Sequence, residues 1–522
     1  MKAHLKKVDV HEWHVEDNAF WETAARIIAI KNLSLSIPCL LLAFAVWMIW
    51  SIIIVQMQNL GFSFDPDPAT NKALFYTLPA IAGLAGATFR IPNSFLIGIG
   101  GGRNVISLTT VLLIVPTLGA GIALQNKETP YLVFAIFAAL SGFGGGNFAS
   151  SMSNISFFFP KRLQGTALGL NAGLGNLGVS VMQILLPFTM GFALFGSFGG
   201  GGIALPSGTL AYIQNCGLTW VPLLLVFSVL AFFGMNNLKF ATPQLKGTVP
   251  AFGKTLLLLF LGGMAAALGL FLFLNLKWNM WLVLPITIIL TVFFMKYLSP
   301  RELKENLNRQ FAIFNNKHNW IMTIIYTMTF GSFIGYAAAF PKLIQDIFGV
   351  LSDGSVNPNA PNPFAYAWLG PLVGSLARPL GGWFSDKIKS GSRVTHWATV
   401  IMIFAALGVA FCIVKARGAS APETYFLPFL ILFLILFITT GVGNGSTFRS
   451  VPYIFEKNMA GPVLGWTSAV AAYGSFIIPR VFGEQIQVGH AEYALYGFAV
   501  YYFMCLVLNW WYYDRKNAPI RC

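Results

Sequence analysis

Stretches of about 20 residues without a charged side chain recur along the whole of this 522-residue chain, each long enough to carry an α-helix across about 30 Å of hydrocarbon. Inside a bilayer the backbone N–H and C=O groups find no water. A spanning segment must therefore close its hydrogen bonds internally, which a helix does. Composition agrees: 56% of the residues are hydrophobic and only 10% are charged, against roughly a quarter charged in a soluble protein. The sequence predicts an all-α, polytopic membrane protein. Fourteen spans are expected, near 34–56, 74–99, 104–124, 131–158, 165–193, 218–236, 255–275, 279–296, 320–341, 364–386, 394–414, 424–448, 462–480 and 493–513.

Charge placement orients these spans. With the N-terminus inside, 24 of the 33 Lys and Arg fall in inside segments and 7 outside, and the remaining two, Arg90 and Arg378, lie within spans. Cytoplasmic segments collect Lys and Arg, so both termini are expected in the cytoplasm. The net charge of +15 then reads as a topology device, and no nucleic-acid partner is expected. Cys39, Cys216, Cys412, Cys505 and Cys522 show no CxxC spacing, so neither a disulfide framework nor a metal site is expected, and no cofactor is called for. The first 33 residues hold no short apolar run before a small-residue cleavage site, and no removable signal peptide is expected. Residues 15–33 read as an interfacial helix leading into the first span. His11-Glu12-Trp13-His14 lacks the spacing of the zinc motif HExxH and reads as solvated tail.

The chain repeats itself. Gly86-x-x-x-Arg90 with Pro92 just after recurs as Gly374-x-x-x-Arg378 with Pro379, and Gly144-Gly145-Gly146-Asn147 recurs as Gly441-Val442-Gly443-Asn444. The offsets of 288 and 297 residues keep the same order and direction. Two parallel repeats of six spans are the plan of the major facilitator fold, whose substrate site lies at the midplane. The expected organisation is a tail with interfacial helix over 1–33, a six-helix half over 34–238, a linker over 239–319, a second half over 320–513 and a tail over 514–522. The linker contains the two surplus spans, an inserted hairpin at about 255–296. Its expected role is peripheral, in lipid contact or self-association.

Arginine inside a bilayer costs roughly 2.5–3.5 kcal/mol on insertion scales, and a buried cation normally finds a carboxylate. Here no Asp or Glu occurs between Glu128 and Glu302, and Asp346, Asp386, Glu456 and Glu484 map near span ends. Arg90 and Arg378 are therefore expected to share a central cavity and to take an anion as their missing counter-ion. Guanidinium is planar, always charged and presents paired N–H donors, a match for small planar oxyanions. The competing readings are that each arginine snorkels to an interface or bonds backbone carbonyls. Closing an empty cavity over two unpaired cations strips their water, so reorientation is expected to be easier loaded than empty, the condition for exchange. With no buried acid the usual proton carrier is missing. His396 at an inner span end and His318 in a loop are poorly placed as relays. Proton symport on the same scaffold is the rival, and an anion sensor or membrane scaffold the reading from another class. No nucleophile–base pair or metal cluster points to an enzyme.

Gly173-Leu-Gly-Asn-Leu-Gly178 matches GxGxxG but sits inside an apolar span, where the dinucleotide motif does not belong. Its glycines, with those at 142–146, read as close helix contacts. Asn147, Asn171, Asn176 and Asn444 are polar groups on those faces, suited to packing or to substrate.

Asn154-Ile-Ser-Phe-Phe-Phe-Pro-Lys-Arg-Leu-Gln-Gly165, flanked by Gly-Gly-Gly-Asn147-Phe-Ala-Ser-Ser-Met and Ala-Leu-Gly-Leu-Asn171-Ala-Gly-Leu-Gly-Asn176, resembles the signature of the bacterial nitrate/nitrite porters. Gly443-Asn444-Gly-Ser-Thr447 with Ala472-Tyr473-Gly474 resembles its second-half counterpart, and Gly382-Trp-Phe-Ser-Asp386-Lys387 the inner-loop motif of the wider superfamily. The resemblance covers the chain except the hairpin. It implies an inner-membrane antiporter of nitrate and nitrite, serving nitrate assimilation or anaerobic respiration, in which Arg90 and Arg378 clamp the anion. It also implies an aromatic sandwich around the anion, which Phe148, Tyr326 and Phe330 fit by local motif. Trp50 stands where the family often has Phe. Asn176 and Tyr473, in the two signatures, complete the expected substrate contacts.

Overall fold

Each apolar stretch folds as a helix in the computed structural model, which describes residues 9–205, 208–351 and 355–522. Thirteen helices among the described residues are long and apolar enough to cross a membrane, one fewer than expected. The span expected near 364–386 is present as the helix Leu369–Ile388, but Arg378, Asp386, Lys387 and its glycines make it too polar to count with the others.

The N-terminal region departs from expectation. Interfacial helix and first span are one continuous helix, Asn18–Asn59, begun by Asp17, whose side chain accepts from the Ala19 N–H at 2.8 Å, the usual service of an N-cap. The stretch before it is not simply a solvated tail. His11, Glu12 and His14 are exposed, but Trp13 is buried and donates through Nε1 to the Phe157 carbonyl at 2.8 Å. Asp9–Val10 pairs in parallel with Asn237–Leu238.

The chain divides into two compact units. One comprises Met1–Pro160, Val181–Asn315 and Lys457–Ala469; the other comprises Lys161–Ser180, Asn316–Glu456 and Val470–Cys522.

In the first unit the helix Pro68–Gly100, which carries Arg90, packs along Tyr131–Phe158. Gly145 and Gly146 make this approach possible, and Gly144 does the same for the first helix, Asn18–Asn59. A Cβ on Gly145 would stand 2.8 Å from Gly86 Cα, and one on Gly144 would collide with the Ala43 carbonyl oxygen. Small residues of this kind let membrane helices meet backbone to backbone. Gly144→Val is therefore expected to cost about 1–3 kcal/mol, as overpacking does, seen as a lower thermal midpoint of the purified protein.

The helices Thr248–Leu274 and Met280–Leu298, which cover the expected hairpin, belong to this unit. They turn at Lys277, whose φ is 52°. They offer large side chains outward, including Phe260, Trp281, Ile289 and Phe293. They are not merely peripheral, however, because Thr248–Leu274 packs along the Arg90 helix. The amphipathic helix Arg301–Gln310 buries Leu303 and Leu307 and ties to the C-terminal end of the Arg90 helix. Asn306 Nδ2 donates to the Gly98 carbonyl and Gln310 Nε2 to the Phe95 carbonyl, both at 3.0 Å. At the start of this helix Lys254 and Lys246, 3.1 and 3.4 Å from Glu302, hold that carboxyl below the usual carboxylate range.

The second unit repeats the packing device. The helix Leu369–Ile388, which carries Arg378, lies along Phe426–Ile454, where a Cβ on Gly441 or Gly445 would collide with the carbonyl oxygens of Gly374 and Arg378. The Lys317–Phe348 segment contains one π-helical turn, Thr327–Gly331, a widened turn frequent at functional sites.

Candidate functional site

Arg90 and Arg378 are both 0% exposed, so neither snorkels to an interface. Their surroundings differ. Arg90 donates through Nε to the Gly145 carbonyl and through Nη1 to the Ser468 carbonyl at 3.2 Å. Three rings surround it, with centroids 4.6 Å (Phe148), 5.1 Å (Trp47) and 5.7 Å (Phe44) from its Cζ. These rings pack on one another, and Trp47 Nε1 is held by the Ala82 carbonyl at 2.7 Å. The backbone-carbonyl reading raised from sequence thus applies to Arg90.

It does not apply to Arg378. None of its three guanidinium nitrogens has a hydrogen-bond partner among the described residues. Its company is aromatic, with Phe333 at 4.1 Å and Phe330 at 5.3 Å from Cζ to ring centroid. Tyr326, Phe330 and Phe333 form a stack, with centroids 5.8 and 6.5 Å apart and planes within 24° of parallel. The π-helical turn lies between the first and last of these rings. Cation–π attraction accounts for about 0.5–2 kcal/mol at such a ring, too little to offset the burial of a full charge.

Further groups in the second unit are buried without a complete set of partners. Asn444 has neither Oδ1 nor Nδ2 bonded, and Ser375 Oγ and Asn176 Oδ1 are also unpaired. Asn176 Nδ2 donates to the Ala172 carbonyl at 2.6 Å. Ser375 lies one helical turn before Arg378, and Asn444 directly precedes Gly445, which touches the Arg378 backbone. Buried polar groups are nearly always satisfied, so these atoms retain bonding capacity for water or a polar ligand. The only Asp or Glu buried among the described residues is Glu492, engaged bidentately by Arg417 at 2.7 and 3.1 Å. Glu492 departs from the acid-free interior expected from sequence.

The expected site residues therefore fall into two groups. Phe148 sits with Arg90; Tyr326 and Phe330 sit with Arg378. Tyr473 is buried in the second unit, where the helix breaks before Gly474 and closes on Gly331 of the π-helical turn. Trp50 is not among the rings over Arg90. Its Nε1 donates to Ser141 Oγ at 3.1 Å and its ring meets Phe134 edge-on. Trp47, one turn earlier and overlooked in the sequence, takes that place. Phe44 and Phe333 were overlooked as well; their only signal was one-turn spacing from Trp47 and Phe330. Arg449, one residue past the expected span 424–448, is also buried, over the Tyr453 ring at 3.7 Å.

Solved structures share the fold of this chain. The chain is similar to the proton:xylose symporter XylE bound to 6-bromo-6-deoxy-D-glucose, with a TM-score of 0.63, 11% identity, and coverage of 93% of this chain and 96% of that one. It is also similar to the human organic anion transporter MFSD10, with a TM-score of 0.56, 11% identity and coverage of 93% and 99%. The likeness is one of fold, a multi-pass helical fold shared with these two transporters.

No protein-family model matches the chain. Curated relatives do. It is 36% identical to the probable nitrate/nitrite antiporter NarK2 of Thermus thermophilus, over 98% of each chain. Identity to the nitrate/nitrite transporter NarU is 35% for Salmonella typhimurium, over 97% of this chain and 96% of the relative, and 33% for Escherichia coli K12 at the same coverage. The chain belongs to this nitrate/nitrite transporter family, a family of inner-membrane proteins and not of enzymes.

Proposed function

We propose that this protein exchanges nitrate and nitrite across the membrane by alternating access, with Arg90 and Arg378 as the anion's charged ligands. The observation that carries the proposal is the guanidinium of Arg378, wholly buried against the Phe330 and Phe333 rings and without a hydrogen-bond partner among the described residues. A small planar oxyanion supplies what that group lacks, both charge and paired acceptors. Asn444, Ser375 and Asn176 are the neutral contacts. Tyr326, Phe330 and Phe148 enclose the anion in a dry setting, where its bonds to guanidinium strengthen. Tyr473 and Trp50 shape the surroundings; they do not hold charge.

Exchange follows from the same electrostatics. Desolvating an unpaired arginine is costly and binding an anion offsets part of that cost, so the loaded carrier reorients and the empty one stalls. No buried acid other than the engaged Glu492 is at hand to carry a proton among the described residues, which favours exchange over symport. The two halves of the chain are read as parallel six-helix repeats with both termini in the cytoplasm, as the Lys and Arg distribution supports.

The test is counterflow in proteoliposomes. Internal nitrite is expected to stimulate uptake of labelled nitrate at least tenfold over empty vesicles, roughly the effect of 1.4 kcal/mol on the reorientation barrier, and a proton gradient alone to leave it unchanged. Uptake driven by the proton gradient without internal anion establishes the symport reading instead.

A further inference from the structure

We infer that the inserted hairpin is a positioning element for Arg90, holding the turn of helix that bears it, an inference that rests on Arg90 being an anion ligand. The helix Thr248–Leu274 meets the Arg90 helix through Gly262 and Gly263. A Cβ on Gly262 would stand 2.9 Å from Pro92 Cγ and 3.4 Å from its Cδ, and one on Gly263 would stand 3.5 Å from Phe89 Cε1. Phe89 immediately precedes Arg90, and Pro92 follows it by two. The hairpin thus touches the residues on both sides of the arginine, at its own turn.

Two features make that turn responsive to a neighbour. Pro92 has no N–H, so the carbonyl one turn earlier loses its helical partner and the helix is locally weakened. On its far side, Phe89 lies against Phe143 at 4.4 Å between centroids. Phe143 stands two residues before Gly145, whose carbonyl accepts from Arg90 Nε. The Phe89 ring is therefore held between the hairpin and the helix that orients the guanidinium. A lateral push at Gly262 moves Pro92 and Phe89 together and carries Arg90 with them. Recognition by a planar donor set is steep in position, with about 1 Å of misplacement able to cost a hundredfold. The hairpin also meets the end of the same helix, where Thr255 and Ala251 lie against Gly100, while Phe260 and Ile289 are exposed.

The experiment measures labelled-nitrate uptake against internal nitrite, in proteoliposomes of the full chain, for wild type, Gly262→Leu, Gly262→Ala, Gly262→Ala with Pro92→Ala, and Gly269→Ala. Gly269 packs on Thr287 inside the hairpin and controls for disturbing the hairpin itself. Gly262→Leu is expected to raise KM for nitrate about tenfold or more with Vmax within about twofold. Gly262→Ala is expected to raise it less, and should Gly262→Leu fail to fold, Gly262→Ala carries the test. Removing the Pro92 ring is expected to cancel the Gly262→Ala effect, and Gly269→Ala to leave KM as in wild type. An unchanged KM in folded Gly262 variants overturns the inference, as does an equal rise in Gly269→Ala or a loss of Vmax alone. These outcomes leave wild-type nitrate exchange intact; absence of exchange in wild type takes down the functional reading and the inference together.

Discussion

Arg378→Lys is expected to lower nitrate/nitrite exchange per folded molecule by roughly tenfold to a hundredfold. Lysine keeps the charge but presents it as a point, and a planar oxyanion loses one of its two parallel contacts. A hydrogen bond to a charged group contributes about 1.5–3 kcal/mol, which sets the range. Among the described residues no hydrogen bond holds the Arg378 guanidinium, so its replacement breaks none of those seen, and abundance is expected to stay near wild type. Arg90→Lys behaves differently. It strips donors from the Gly145 and Ser468 carbonyls, so protein yield is expected to fall together with exchange. Initial uptake rates normalised to folded protein, measured by fluorescence-detected size exclusion, separate the two patterns.

Arg378→Met is expected to abolish exchange and at the same time raise the thermal midpoint measured without anion. Methionine fills similar space without charge, and replacing an uncompensated buried charge by an apolar group is often stabilising by about 1–4 kcal/mol. The Phe330 and Phe333 rings already lie against the guanidinium and accept a thioether readily. Arg90→Met has the opposite sign. Buried carbonyls left without donors cost about 1–3 kcal/mol each, so its midpoint is expected to drop. A stabilised, transport-dead Arg378→Met beside a destabilised Arg90→Met identifies Arg378 as a residue kept at the expense of stability for its ligand, as marginally stable proteins do at functional sites. Equal destabilisation of both variants contradicts this, because it makes Arg378 a structural group.

Much of this was legible in the sequence. The uncharged stretches became helices because the bilayer leaves a spanning backbone no alternative. Arg90 and Arg378 stood out because intramembrane charge is costly and rare. The absence of nearby acids was a plain reading of Asp and Glu positions. Other features needed three dimensions. Trp47 and Trp50 are three residues apart and chemically alike, and only helix rotation decides that Trp47 faces Arg90 while Trp50 turns to Ser141. The π-helical turn that separates Tyr326 from Phe333 leaves no signature in composition. The contrast between a tethered Arg90 and an unbonded Arg378 depends on which carbonyls approach from other helices, which sequence symmetry hides. The hairpin's grip on Phe89 and Pro92 is likewise tertiary, since Gly262 and Gly263 look like any small pair in an apolar span.

The central claim, that Arg378 awaits a planar anion, is tested most directly by equilibrium dialysis of labelled nitrate against purified wild type, Arg378→Met and Arg90→Lys. Wild type is expected to bind nitrate saturably, with nitrite competing and sulfate not, and Arg378→Met is expected to bind none while remaining monodisperse. Saturable nitrate binding by Arg378→Met at wild-type affinity would contradict the account.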